Sequence, residues 1–217
     1  MTTAAPAVTS SIDVESPQWL VIPDVADVTP EWRAEVLRLF EAIVHVDREA
    51  EGEQRIFDDG REVDPQTALD TLLEFRASLD GGDRLVAGLG VPNRWPLPVV
   101  VSVGIADGDD AHDGHGAHGT RALLELAGAD GGLPVEQPAV DELPEHVGGE
   151  GPVVTRYDLD DDGAIWATVC AVRREGGGDG PAVDTRVLWR TRDLDVVPVF
   201  GPEVVDLLAA IRNEVAA

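Results

Sequence analysis

Three groups of residues have the types and spacing to do chemistry. The first is the run Asp107–Gly119, where His112, His115 and His118 alternate with Asp109, Asp110 and Asp113. Imidazole and carboxylate are good ligands for Zn²⁺ or Ni²⁺, and the interleaved glycines would let the loop fold around an ion. His112, Asp113, His115 and His118 are the ligand set this reading proposes. The same composition also describes a solvated insertion with affinity for metals but no role for them.

The second group is Asp158-Leu-Asp160-Asp-Asp162-Gly163, which opens like a calcium-binding loop, with acids at positions 1, 3 and 5 and glycine at 6. The match then stops. Position 12, where a bidentate Glu should complete the shell, is Val169, and the flanks alternate like strands. An acidic hairpin turn is the expectation, with Asp158, Asp160 and Asp162 as calcium ligands the alternative.

The third group is basic, which stands out in a chain of 42 acidic and 16 basic residues, net charge −26, with no lysine at all. Arg156, Arg173, Arg174, Arg186, Arg190 and Arg192 fall within one short stretch. Strand alternation puts Val183, Thr185, Val187 and Trp189 on one face and Arg186, Leu188, Arg190 and Arg192 on the other. Guanidinium groups on a rigid sheet suit bidentate recognition of carboxylate or phosphate. The competing expectation is that these arginines pair across strands with Asp158, Asp184 or Asp193. Arg94 and Trp95, between two prolines in Pro92–Pro96, join Arg186, Arg190 and Arg192 as candidate partner contacts, because Trp and Arg are enriched among interface hot spots.

Charge bounds the partners. So negative a surface repels phosphate backbones and anionic headgroups, which argues against nucleic acid and membranes. Its origin is either a GC-rich bacterial genome, which favours Arg over Lys, or a salt-rich cytosol. Cys170 is the one cysteine and sits in a predicted strand, so it reads as packing in a reducing, cytoplasmic setting. No segment has the features of a secretory signal or approaches a membrane span. No P-loop, dinucleotide fingerprint, GxSxG elbow or HExxH is present.

The elements that must position these groups follow from periodicity. Thr29-Pro30-Glu31 reads as a helix start, and Trp32, Val36, Leu39, Ile43 and Val46 continue it on one face. Asp64-Pro65 opens a second helix with Ala68, Leu72, Phe75 and Leu79 in its stripe, ending at Gly81-Gly82. A short hairpin turning at Asp59-Gly60 is expected between them. RLVAGLGV and LPVVVSVGI read as strands, the second covered on both faces because Val99–Val101 leave no polar side. A short helix is expected at 121–127, an irregular excursion at 129–151, and a three-strand meander at 152–158, 164–173 and 183–192. An extended piece, Val196–Phe200, should lead into a closing helix carrying Val204, Leu208, Ile211 and Val215.

The expected fold is α+β: a mostly antiparallel sheet with helices packed on it. Residues 1–16 are expected as a disordered tail and 17–217 as one domain with flexible loops at 107–119 and 129–151. The functional expectation is a non-enzymatic protein–protein interaction or accessory module without a cofactor. A small metal-binding protein using the 107–119 loop is the alternative, and an enzyme with a site assembled from scattered residues is the second. The sequence leaves oligomeric state and strand order open.

Overall fold

The computed structural model describes residues 7–14, 17–50, 57–58, 61–62, 64–91, 94, 96–106, 117–176 and 181–216. Among these the chain has four α-helices and a seven-stranded antiparallel sheet, an α+β fold as expected. It divides into two compact units, Glu15–Val99, and Met1–Val14 with Val100–Ala217.

The first unit holds strand β2 (Trp19–Ile22), helices α1 (Pro30–Ala50) and α2 (Pro65–Ser78), and strand β5 (Arg84–Gly88). Both helices begin where the cap residues place them. The Trp32 N–H donates to Thr29 Oγ1 at 3.2 Å, and the Thr67 N–H donates to Asp64 Oδ2 at 2.9 Å. That bond, with the Thr67 hydroxyl, holds the Asp64 carboxyl below its usual range. Val36 and Phe40 of α1 are buried, as are Ala68, Leu69, Leu72 and Leu73 of α2. Arg33 and Asp70 pair between the helices, and Arg76 reaches Asp24. Strands β3 (Phe57–Asp58) and β4 (Arg61–Glu62) pair as the expected hairpin; its turn lies outside the described residues.

The second unit carries β8 (Pro152–Leu159), β9 (Ile165–Gly176) and β10 (Ala182–Thr191), the expected meander. The large sheet runs in the order β2-β5-β6-β10-β9-β8-β7, with β6 at Leu97–Ile105 and β7 at Ala139–Glu142. Val99, Val100 and Val101 of β6 are all buried, as an interior strand requires.

Three expectations at the ends and edge of the sheet are corrected. The excursion at 129–151 contains β7, which pairs with β8 from Ala139↔Thr155 to Glu142↔Pro152. The piece Val196–Phe200 is not extended. Pro198 stands in the first turn of helix α4 (Val197–Asp206), where its fixed φ suits a helix start and its missing N–H costs nothing. The closing helix then stops early. A 3-10 turn at Leu207–Ala210 leads into strand β11 (Ile211–Ala216), so Val215 is on a strand. The partner of β11 is β1 (Ala7–Ile12), in the segment expected as a disordered tail; the two pair from Ala7↔Ala216 to Ile12↔Ile211.

The meander has a helix on each face. On one, α4 packs against β9 and β10, and Trp189 meets Phe200 edge-on with centroids 5.0 Å apart. On the other, Leu123 and Ala127, from and just beyond α3 (Ala117–Leu126), pack on Val154, Cys170 and Val172. Helix α3 covers only part of that face.

Candidate functional site

The uncovered part of the α3 face is a groove of about 520 Å³. Strand register builds its floor. Arg190 stands opposite Thr168, Leu188 opposite Cys170 and Arg186 opposite Val172, while Arg156 of β8 stands on the far side of Thr168. Leu126, Leu133 and Leu159 form an apolar rim and are exposed at 37%, 69% and 45%.

The expected alternation of β10 is observed. Val183, Thr185, Val187 and Trp189 are buried on the α4 face, leaving Arg186, Leu188 and Arg190 for the groove. The arginines of the ridge divide sharply by what they touch. Arg156 uses its whole fork. Its Nε and Nη2 donate to the two carboxylate oxygens of Asp158 at 2.7 and 2.6 Å, and Nη2 also reaches Gly131 O at 2.6 Å. Its Nη1 donates to Gly128 O and, at 3.3 Å, to Asp130 O. Donating to Asp158 raises its pKa further. The arginine thereby fixes the Gly128–Gly131 loop as a groove wall. Gly132 has φ +67°, and a Cβ there would stand 2.5 Å from Arg156 Nη2, so the loop needs glycine on both counts.

Arg174 is bound bidentately by Asp184 across the strands, at 2.6 Å on each oxygen. Arg173 points to the opposite face and is 3% exposed. It donates to Leu208 O at 2.7 Å and Ile211 O at 2.8 Å, and pairs with Glu175 at 2.8 Å. Burial pushes its pKa down. These three arginines are structural.

Arg186 and Arg190 are different. Neither has a carboxylate partner among the described residues. Arg186 donates from Nη2 to Ser102 Oγ at 3.1 Å, and its Nε is buried with no acceptor. Arg190 is exposed and lies over the Trp166 ring, 4.5 Å from its centroid. Arg192, just past β10, lies 4.7 Å from the same ring but donates to Asp160 at 2.5 Å. Of the acids expected as cross-strand partners, Asp184 pairs with Arg174 across β9 and β10, whereas Asp158 pairs with Arg156 within β8 and Arg192 takes Asp160, which was not among them.

The acidic turn is a turn held by its own carboxylate. Asp160 accepts from the Ala164 and Asp162 N–H groups at 2.8 and 3.0 Å and from Trp166 Nε1 at 2.9 Å. The Trp166 bond first, and the Ala164 N–H next, hold its pKa below the usual carboxylate range. Asp158 and Asp160 are thus engaged by protein donors, and Asp162 contributes its backbone N–H. Among the described residues no three His, Cys, Asp or Glu side chains converge as a metal site.

His112, Asp113 and His115 lie outside the described residues, as do the His118 side chain and Trp95. Arg94 belongs to the Glu15–Val99 unit. Cys170 is on the groove floor, and burial pushes its thiol up to about 12, so it is a neutral packing residue. Sequence reasoning missed Ser102, which holds Arg186 from β6, and Trp166, which serves as a platform for two guanidinium groups. The available signal was the shared phase of Trp166 and Thr168 on β9.

No protein-family model matches the chain, and no curated protein is similar to it in sequence. Among solved structures it is similar to one described as the crystal structure of LpqN, involved in cell envelope biogenesis of Mycobacterium tuberculosis. The identity is 8% and the TM-score 0.39, over 100% of this chain and 87% of that one. At that score the likeness carries no argument. Among the described residues no helix is long and apolar enough to cross a membrane.

Proposed function

We propose that this protein is a non-enzymatic interaction module that binds a partner protein through the Arg186–Arg190 groove. The observation carrying this reading is that two arginines in a chain of net charge −26 stand on a rigid strand without carboxylate partners among the described residues. Carboxylates are abundant in this chain, and Arg156, Arg174 and Arg192 each hold one. Exposed leucines beside two guanidinium groups that lack a carboxylate among the described residues define the complement: an apolar segment bearing carboxylates. Arginines in a concave, partly apolar surface, one of them stacked on Trp166, match the composition of an interface hot spot. The raised thiol pKa of Cys170 supports a binding role for the groove over a nucleophilic one. A cytoplasmic setting belongs to this reading and rests on the lone, buried cysteine.

The test is fluorescence anisotropy with a labelled peptide alternating leucine and glutamate, beside its glutamine counterpart. Binding to the glutamate peptide should weaken at least tenfold in R186E/R190E, and that variant should instead accept a leucine–lysine peptide. Equal affinity for the glutamate and glutamine peptides, or indifference to the charge reversal, would overturn the reading.

A further inference from the structure

A second surface of the same unit invites a partner of opposite charge. Strand β7 ends the seven-stranded sheet and, among the described residues, pairs on one side only, with β8. All four of its residues are exposed. The ladder assigns the direction of its backbone groups. Leu143 N–H donates to Gly151 O at 3.1 Å, continuing the register of β7 with β8. In an antiparallel pair, hydrogen-bonded residues alternate with those that face away. Asp141 and Ala139 therefore bond toward β8, while Val140 and Glu142 turn their N–H and C=O groups outward.

Beside this edge lies a cleft of about 590 Å³, between α3 and β7. Leu123 and Leu124 line one wall, and Val140, 51% exposed, lines the other. Asp141 and Glu142 stand on the edge itself, and Glu150 lines the cleft. An open edge, an apolar channel and carboxylates together favour an extended strand with alternating basic and apolar residues. The main chain would supply affinity and the alternate side chains specificity. The same acids argue against a second copy of this chain. Two β7 edges would bring Asp141 and Glu142 against their equals, and like charges on an edge oppose pairing.

We propose that β7 is a strand-addition site for an extended, basic segment of a partner protein, whose apolar side chains enter the cleft between α3 and β7. This site is separate from the Arg186–Arg190 groove, and the two proposals stand or fall independently.

The probe is a labelled, blocked hexapeptide, (Lys-Val)₃, measured by anisotropy in 0.15 M salt, where long-range attraction to the acidic chain is largely screened. It should bind, and hydrogen exchange should slow at the Val140 and Glu142 amides. Val140→Pro removes an outward N–H without touching the ladder to β8, a position where an edge strand accepts proline. It should weaken binding at least tenfold while R186Q/R190Q, which adds no acid to the groove, leaves binding unchanged. A (Lys-Val)₃ peptide N-methylated on the residues that face β7 should also lose at least tenfold, on unaltered protein. No binding, protection elsewhere than β7, or affinity within twofold for both the proline variant and the N-methylated peptide would overturn the proposal.

Discussion

Arg173 and Arg186 are the same residue type on adjacent strands of one sheet, yet they do opposite work. Arg173 is enclosed between β9 and the C-terminal elements, with backbone carbonyls of Leu208 and Ile211 and the Glu175 carboxylate around it. Arg186 faces the groove with one hydroxyl partner; among the described residues the Nε of each arginine is buried without an acceptor, so the contrast lies in the Nη groups. A guanidinium acts as a structural clamp where acceptors from several elements converge on it. Under the function proposed above, it serves recognition where the fold holds it in place but leaves its Nη donors without a carboxylate. In an acidic chain the second state must be built, because carboxylates are available almost everywhere.

Substitutions can break or sharpen this contrast. The largest effect is expected at Arg173. Arg173→Met would strand the buried Leu208 and Ile211 carbonyls and free Glu175, lowering stability by about 3 kcal/mol in urea unfolding. A loss below about 1 kcal/mol would erase the distinction between clamp and recognition group. Arg156→Met comes next, at about 2 kcal/mol, since it leaves Asp158 partly buried without its cation and releases the Gly128–Gly131 wall. Faster hydrogen exchange confined to residues 128–133 would show that the loop is held by this side chain.

Asp160→Asn should act through pH. The Asp160 carboxyl is depressed in the folded protein, so its contribution is full above the unfolded value of about 3.9 and is lost as pH falls through the lower folded value. Melting temperatures of native and variant protein should therefore differ at pH 6, with the difference shrinking progressively as pH falls below about 3.9. A constant difference across that range would mean the charge of Asp160 is not what holds the turn. The smallest stability change is expected for R186Q/R190Q, within about 0.5 kcal/mol of the native protein. That near-neutrality, combined with loss of the leucine–glutamate peptide, is the sharpest form of the comparison. A loss of 2 kcal/mol or more would place these arginines with Arg173.

Much of the scaffold was legible in advance. Thr29 and Asp64 mark both helix starts because capping is local chemistry, satisfied within three residues of the cap. The alternation of β10 assigned Arg186 and Arg190 to one face because the side-chain period of a strand is fixed at two. The end of the chain was misread because Val204, Leu208, Ile211 and Val215 also fit a helical stripe. What makes Ile211–Ala216 a strand is β1, some two hundred residues earlier, and nothing local records that partner. Strand β7 was hidden for a similar reason: four exposed residues carry no hydrophobic pattern, and pairing with β8 alone defines them.

By itself, then, the sequence determined the α+β class, the helix caps, the meander and the facing of its arginines, since all of these follow from local geometry and short-period burial. Which arginines are bound and which are open was decided only by tertiary structure. Arg174 meets Asp184 through strand register, Arg156 meets the carbonyls of residues 128–131 through a loop, and Arg192 meets Asp160 across a turn. Pairing depends on distances of about 3 Å between groups far apart in sequence, and composition carries no record of those distances.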